Sequence, residues 1–127
     1  MIEMATYDIK ELASSYCENP DMNKLEIYSN LAIIQIRRWL IDPEFENNED
    51  NLGHLSIAAA GLAYYYYVLD RVQKQPSGEF SANGVSAKSN FDEQLKKAKT
   101  LVNEHLKVVS HLMHIPISGF AFLNVEE

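Results

Sequence analysis

The sequence predicts a mainly α-helical protein. It should form a compact bundle of about four helices, with a β-hairpin inserted between helices 3 and 4 and a short C-terminal strand. Three observations predict this. Apolar residues recur at i, i+3, i+4 and i+7 through four segments, the period of one helix face. The stop signals Asn19-Pro20, Asp42-Pro43 and Pro116 fall between or after those segments. Asn83-Gly84 lies between two short runs, the strongest short-range hairpin signal, because a type I′ turn needs φ > 0 at both central positions. The 127 residues suffice for one domain, 1–127, since domains typically run about 100–150 residues.

The first helix is expected over Tyr7–Glu18, where Ile9, Leu12, Ala13 and Tyr16 share a face. Thr6 can cap it, and Asp8 and Glu11 sit early, where the helix dipole favours acids. Asn19 is a candidate cap for a second helix over about 20–41, with Pro20 at its first position. That helix carries two apolar stripes. Leu25, Tyr28, Ala32, Ile36 and Trp39 form one; Ile27, Leu31, Ile34 and Ile41 form the other. Two stripes imply burial on two sides, by the protein's own core and by something else.

Residues 42–50 hold five acids, Asp42, Glu44, Glu46, Glu49 and Asp50, and no base, and read as an exposed acidic loop. The third helix is expected over Asn51–Gln73, capped by Asp50 or Asn51. Its small residues Ser56, Ala58, Ala59, Ala60 and Gly61 would let a neighbouring backbone approach closely. Gly61 costs about 1 kcal/mol against alanine in a helix interior, which a close crossing can offset. Tyr64 to Tyr67 point around the whole circumference, so at least one must face away from the core. The hairpin insertion is expected over 75–90, followed by a fourth helix over Phe91–His114 with an Asn90/Glu93 capping box. The tail 115–127 carries Phe120, Phe122 and Val125 and reads as a short strand.

Composition narrows function. Eighteen acids against eleven bases give a formal net charge of −7, which argues against a generic nucleic-acid binder that needs a cationic footprint. One cysteine, Cys17, permits no internal disulfide. No run is long and apolar enough to predict a membrane span, which needs about 20 predominantly apolar residues. No Gly-rich phosphate loop is visible, and the acidic stretch lacks EF-hand spacing. His111 and His114 lie three apart on the fourth helix, with Glu104 and His105 upstream. Only Glu104 and His111 share a face, at roughly 0° and 340°, and zinc needs three or four converging ligands. No catalytic, metal or cofactor-binding residue is assigned, and the chain is not expected to be an enzyme. What stands out is surplus apolar surface, the mark of an interface. Self-assembly is the leading inference from the residues themselves. The charge is uneven: twelve acids and four bases in residues 1–70, six and seven in 71–127, a polarity that suits head-to-tail contacts.

The order of these features resembles the small head–tail connector (adaptor, or head-completion) proteins of tailed bacteriophages and prophages. A short helix precedes a long one ending in Arg37-Arg38-Trp39. Then come the Ala- and Tyr-rich run from Ile57 to Leu69, the polar segment from Gly78 to Lys88, a long last helix and a short tail. The resemblance implies a virion structural protein that forms a ring, commonly of twelve copies, between the portal protein and a tail or stopper protein. It would sit in the neck of the particle, and in the bacterial cytoplasm before assembly. DNA would pass through the channel without specific binding. Phe80, Asn83, Gly84, Val85, Phe120, Phe122 and Val125 would then be candidate subunit contacts. The five acids of residues 42–50 would be candidates to line the channel, since an acidic wall lets DNA slide. The alternative is a small dimeric binding or regulatory module, with a two-fold interface on the second helix. A helical metalloenzyme subunit using His111, His114 and the acidic stretch is a third.

Overall fold

The structure, a computed structural model, describes residues 3–73 and 82–114. Four α-helices run in chain order: α1 (Thr6–Ser14), α2 (Met22–Trp39), α3 (Glu49–Gln73) and α4 (Ala82–Val109). Short 3-10 turns follow α2 (Pro43–Asn47) and α4 (Ser110–Leu112). The mainly helical character read from the sequence is present, with about the expected number of helices. The centre is α3, which packs against α1, α2 and α4, while α1 also packs on α2.

Helix α1 stops earlier than its apolar period suggests. The Ser14 and Ser15 hydroxyls donate to the Glu11 and Leu12 carbonyls, competing with continuation of the backbone ladder. Asn19 takes a left-handed conformation, φ 51°, which asparagine tolerates better than most side chains. It is therefore a turn residue and not the cap of the second helix. Asp21 caps α2 instead, accepting from the N–H groups of Asn23 and Lys24 at 3.1 and 3.3 Å. The Asp21 N–H donates to the Tyr67 hydroxyl at 3.0 Å, which ties the start of α2 to α3.

Residues 42–50 are not one exposed loop. Asp42 caps the 3-10 turn by accepting from the Glu44 N–H at 2.9 Å. Asn48, and neither Asp50 nor Asn51, caps α3, accepting from the Asp50 and Asn51 N–H groups at 2.9 and 3.1 Å. The last element is pinned back on α2 by an antiparallel bridge between Leu40 and Met113. Ile41 N–H donates to Leu112 C=O at 3.0 Å, and His114 N–H to Trp39 C=O at 2.7 Å.

The hairpin expected over 75–90 is overturned where the structure describes it. Asn83-Gly84 and the second run, Val85–Lys88, lie inside α4. Helix growth is cooperative: once the amphipathic stripe of α4 has formed a turn, each added residue costs little. Ala82, Ala87 and Lys88 favour that growth. Asn83 and Gly84 occupy the first turn, where N–H groups need no partner within the helix. The proposed strands offered only Phe80 and Val85 as large apolar side chains, and an isolated hairpin is marginal. Asn90 is accordingly well inside α4 and not its cap. Phe80 and the tail strand, with Phe120, Phe122 and Val125, lie outside the described residues.

The core joins all four helices. Ile9, Leu25, Ile36, Leu55, Leu62, Val102, Leu106 and Val109 are fully buried, as are Ala58, Ala59, Ala60 and Ala63. The small face of α3 is where α4 crosses. A Cβ on Gly61 would come within 3.0 Å of His105 Cδ2 and 3.6 Å of the Val102 Cα. Near the other end, Tyr64, Tyr67 and Arg71 share a cleft with Gln94. These two contacts set an antiparallel register in which the end of α3 meets α4 near residue 92.

Candidate assembly interface

Helix α2 is apolar on two faces, and the fold uses one. Leu25, Ala32, Ile36 and Trp39 turn inward and are buried. On the opposite face Ile27, Leu31 and Ile34 are 58, 47 and 51% exposed, and Ile41, 61% exposed, follows just past the end of the helix. Along α2 their spacing is four, then three, and the exposed Arg38 follows four residues later. This is the 3-4 alternation with which one helix presents a seam to another. A free, solvated helix face gains nothing from such a row, which makes it the candidate contact surface.

The tyrosine surplus is largely absorbed. Tyr67 is buried, and Tyr64, Tyr65 and Tyr66 are half-buried. Tyr16 packs against Tyr64 with ring centroids 5.3 Å apart, and Tyr28 against Tyr66 at 6.4 Å, both tilted as aromatic pairs prefer. Tyr7, 65% exposed, lies near the Lys10 ammonium.

Among the acids of residues 42–50, Asp42, Glu44, Glu49 and Asp50 are exposed. Glu46 is not, and this corrects its assignment to a channel wall: it is 7% exposed and points into the protein. Arg37 grips it with two hydrogen bonds, Nε to Oε1 at 2.9 Å and Nη2 to Oε2 at 2.8 Å. The Met4 N–H donates to the same carboxylate at 2.7 Å. Burial pushes the Glu46 carboxyl up, but the Arg37 and Met4 hydrogen bonds and the Arg37 charge outweigh it and hold it below the usual carboxylate range. Glu46 and Arg37 thus clamp the chain's start to the end of α2. Sequence reasoning missed this, and nothing in the spacing of the two residues signals it.

The remaining candidates lack converging chemistry. A cleft of about 300 Å³ is lined by Tyr16, Cys17, Glu18, Tyr64, Tyr67 and Arg71 among others. Burial pushes the Cys17 thiol up despite the opposing Arg71 charge, the opposite of an activated nucleophile. No group of three or more His, Cys, Asp or Glu residues placed to hold a metal ion occurs among the described residues. No described helix is long and apolar enough to cross a membrane. Asn83, Gly84 and Val85 lie at the start of α4.

His105 sits where α4 crosses Gly61, with its Nε2 buried and without a hydrogen-bond partner among the described residues. Burial lowers its pKa, with Glu104 opposing. The unfolded chain, with an ordinary value of about 6.5, then takes up the proton more readily than the folded one. Stability from this group is complete above that value and is lost as the pH falls toward the folded one. Urea unfolding at pH 7.0 and 5.5 should show a lower midpoint at 5.5, and His105→Gln should flatten that difference. An unchanged pH dependence in the variant would remove His105 as its source.

No known family's sequence model matches the chain, and neither curated proteins nor solved structures give a significant match.

Proposed function

We propose that the chain is a self-assembling structural subunit, a ring-forming head–tail connector of the kind its sequence resembles. The observation that carries self-assembly is the exposed apolar row on α2, Ile27, Leu31 and Ile34, with Ile41 exposed just past its end. The connector reading adds a place for other features. The start of α4, with Asn83, Gly84 and Val85, would take the reaching role expected of a hairpin. Asp42, Glu44, Glu49 and Asp50 offer an acidic surface past which DNA would slide, with Glu46 excluded because it is buried. The portal protein on one side and a tail or stopper protein on the other would be its partners.

One observation favours the alternative, a dimeric binding module. The apolar row is a single straight helix face, which suits a two-fold contact. Light scattering after size exclusion, across a wide concentration range, separates the readings. A closed species near twelve copies, or a concentration-driven climb toward one, supports the ring. A strict dimer supports the module. A single-chain mass of 14.5 kDa at every concentration would sink both.

A further inference from the structure

From the origin, length and composition of residues 115–127 we infer that this segment covers the exposed row of α2 in its own chain, and that a second copy must displace it to use that row. The second half rests on the self-assembly proposed above; the first half does not. Three observations carry the cover. The first is the point of departure. Leu40 and Met113 form an antiparallel bridge, and the His114 N–H donates to the Trp39 C=O at 2.7 Å. Residue 115 therefore leaves from beside the last residue of α2, having run from Ile41 back past Trp39. Ile115 precedes Pro116, which opposes the helical conformation there and favours an extended departure.

The second is reach. Ile34, Leu31 and Ile27 lie five, eight and twelve residues before Trp39, or about 7.5, 12 and 18 Å back along the axis at the helical rise. They face away from the core, so the segment must also pass half-way round a helix roughly 10–12 Å across, a further ~17 Å. Its thirteen residues span about 43 Å when extended, enough for both. The third is composition. The stretch from Ile115 to Val125 carries no charge in a chain of net charge −7, and it includes Ile117, Phe120, Phe122 and Leu123. Such side chains gain by leaving water. Among the described residues only α2 offers three exposed large apolar side chains on one helix face; Ile57 and Val108 stand singly on α3 and α4. A segment tethered this closely meets the row at an effective concentration of about millimolar, above that of dilute second copies.

The test of the cover places a nitroxide on residue 124 of the full chain, as Cys17→Ser/Asn124→Cys, and reads the backbone amide NMR signals at dilution. The signals of Ile27, Leu31 and Ile34 should broaden, and adding Phe120→Ser/Phe122→Ser should remove the broadening. In a mixture of nitroxide-bearing copies with isotope-labelled copies that lack the nitroxide, no α2 signal should broaden. Broadening centred on another helix, or unchanged in the serine variant, overturns the cover. Broadening seen only in the mixture overturns it in favour of a neighbouring copy's segment. Sedimentation equilibrium tests the competition. Phe120→Ser/Phe122→Ser should self-associate about tenfold more tightly than the wild type, because the row is then open to a second copy. Equal association of the two proteins overturns the competition and leaves self-assembly standing. Single-chain masses for both at every concentration overturn the self-assembly reading and the competition together, while the broadening still decides the cover.

Discussion

Replacing Arg37 with alanine is expected to destabilise the fold by about 2–3 kcal/mol, because it leaves the Glu46 carboxylate buried with only the Met4 N–H as a partner. Removing one member of a fully buried ion pair typically costs about 3–5 kcal/mol. The expectation here is lower because the Arg37 side chain is 42% exposed, so water screens part of the pair. Arg37→Lys should recover only part of the loss, since an ammonium cannot reproduce the two-pronged grip of the guanidinium. The double variant Arg37→Ala/Glu46→Ala should be more stable than Arg37→Ala alone, because it removes the stranded charge. Urea unfolding of the wild type, Arg37→Ala, Glu46→Ala and the double variant completes the cycle. A double variant less stable than Arg37→Ala would mean that the carboxylate does not depend on Arg37.

The same pair fixes the sign of an acid dependence. The folded carboxyl of Glu46 lies below its unfolded value, so the unfolded chain binds protons more readily there. Its contribution is complete above the unfolded value of about 4.3 and is lost as the pH falls through the folded one. In Arg37→Ala, burial acts with much less opposition and the decline between about pH 5 and 3 should flatten or reverse. This window lies below the one in which His105 acts, so the two contributions separate on one pH titration.

Reading the sequence worked where a residue's role follows from neighbours on its own helix. The two stripes of α2 could be seen as two faces, and the fold buries one and exposes the other. Gly61 among alanines announced a close crossing, and α4 lies there. Failures came where several local solutions compete or where the partner is distant. Asn48, Asp50 and Asn51 can all cap a helix, and chain direction after the 3-10 turn selects Asn48. Asn83-Gly84 is a strong local turn signal, and cooperative extension of α4 overrides it. Glu46 looked like one acid in a solvated run. Its role depends on Arg37, nine residues back across a helix end, and on Met4, forty-two residues back. Pairings of that kind are set by tertiary structure and leave no period to detect.

The crossing at Gly61 carries the other large expected effect. Gly61→Leu should cost about 2–3 kcal/mol, the upper range for forcing extra carbon into a packed interface. A Cβ alone meets the His105 ring at 3.0 Å, and that half-exposed side chain can give by a few tenths of an ångström. Gly61→Ala should therefore be close to neutral, the contact offsetting a helix-propensity gain of up to about 1 kcal/mol. The branched carbons of leucine have no such outlet, because the α4 backbone at Val102 already lies 3.6 Å from the Cβ and cannot give as a side chain can. Separating the helices to admit them would also loosen Val102, Leu106 and the alanines of α3, all now buried. Urea unfolding measures both variants. In a His105→Ala background, Gly61→Ala should become stabilising, since the contact that cancelled its propensity gain is gone. A Gly61→Leu protein as stable as the wild type would show that α3 and α4 do not cross closely there.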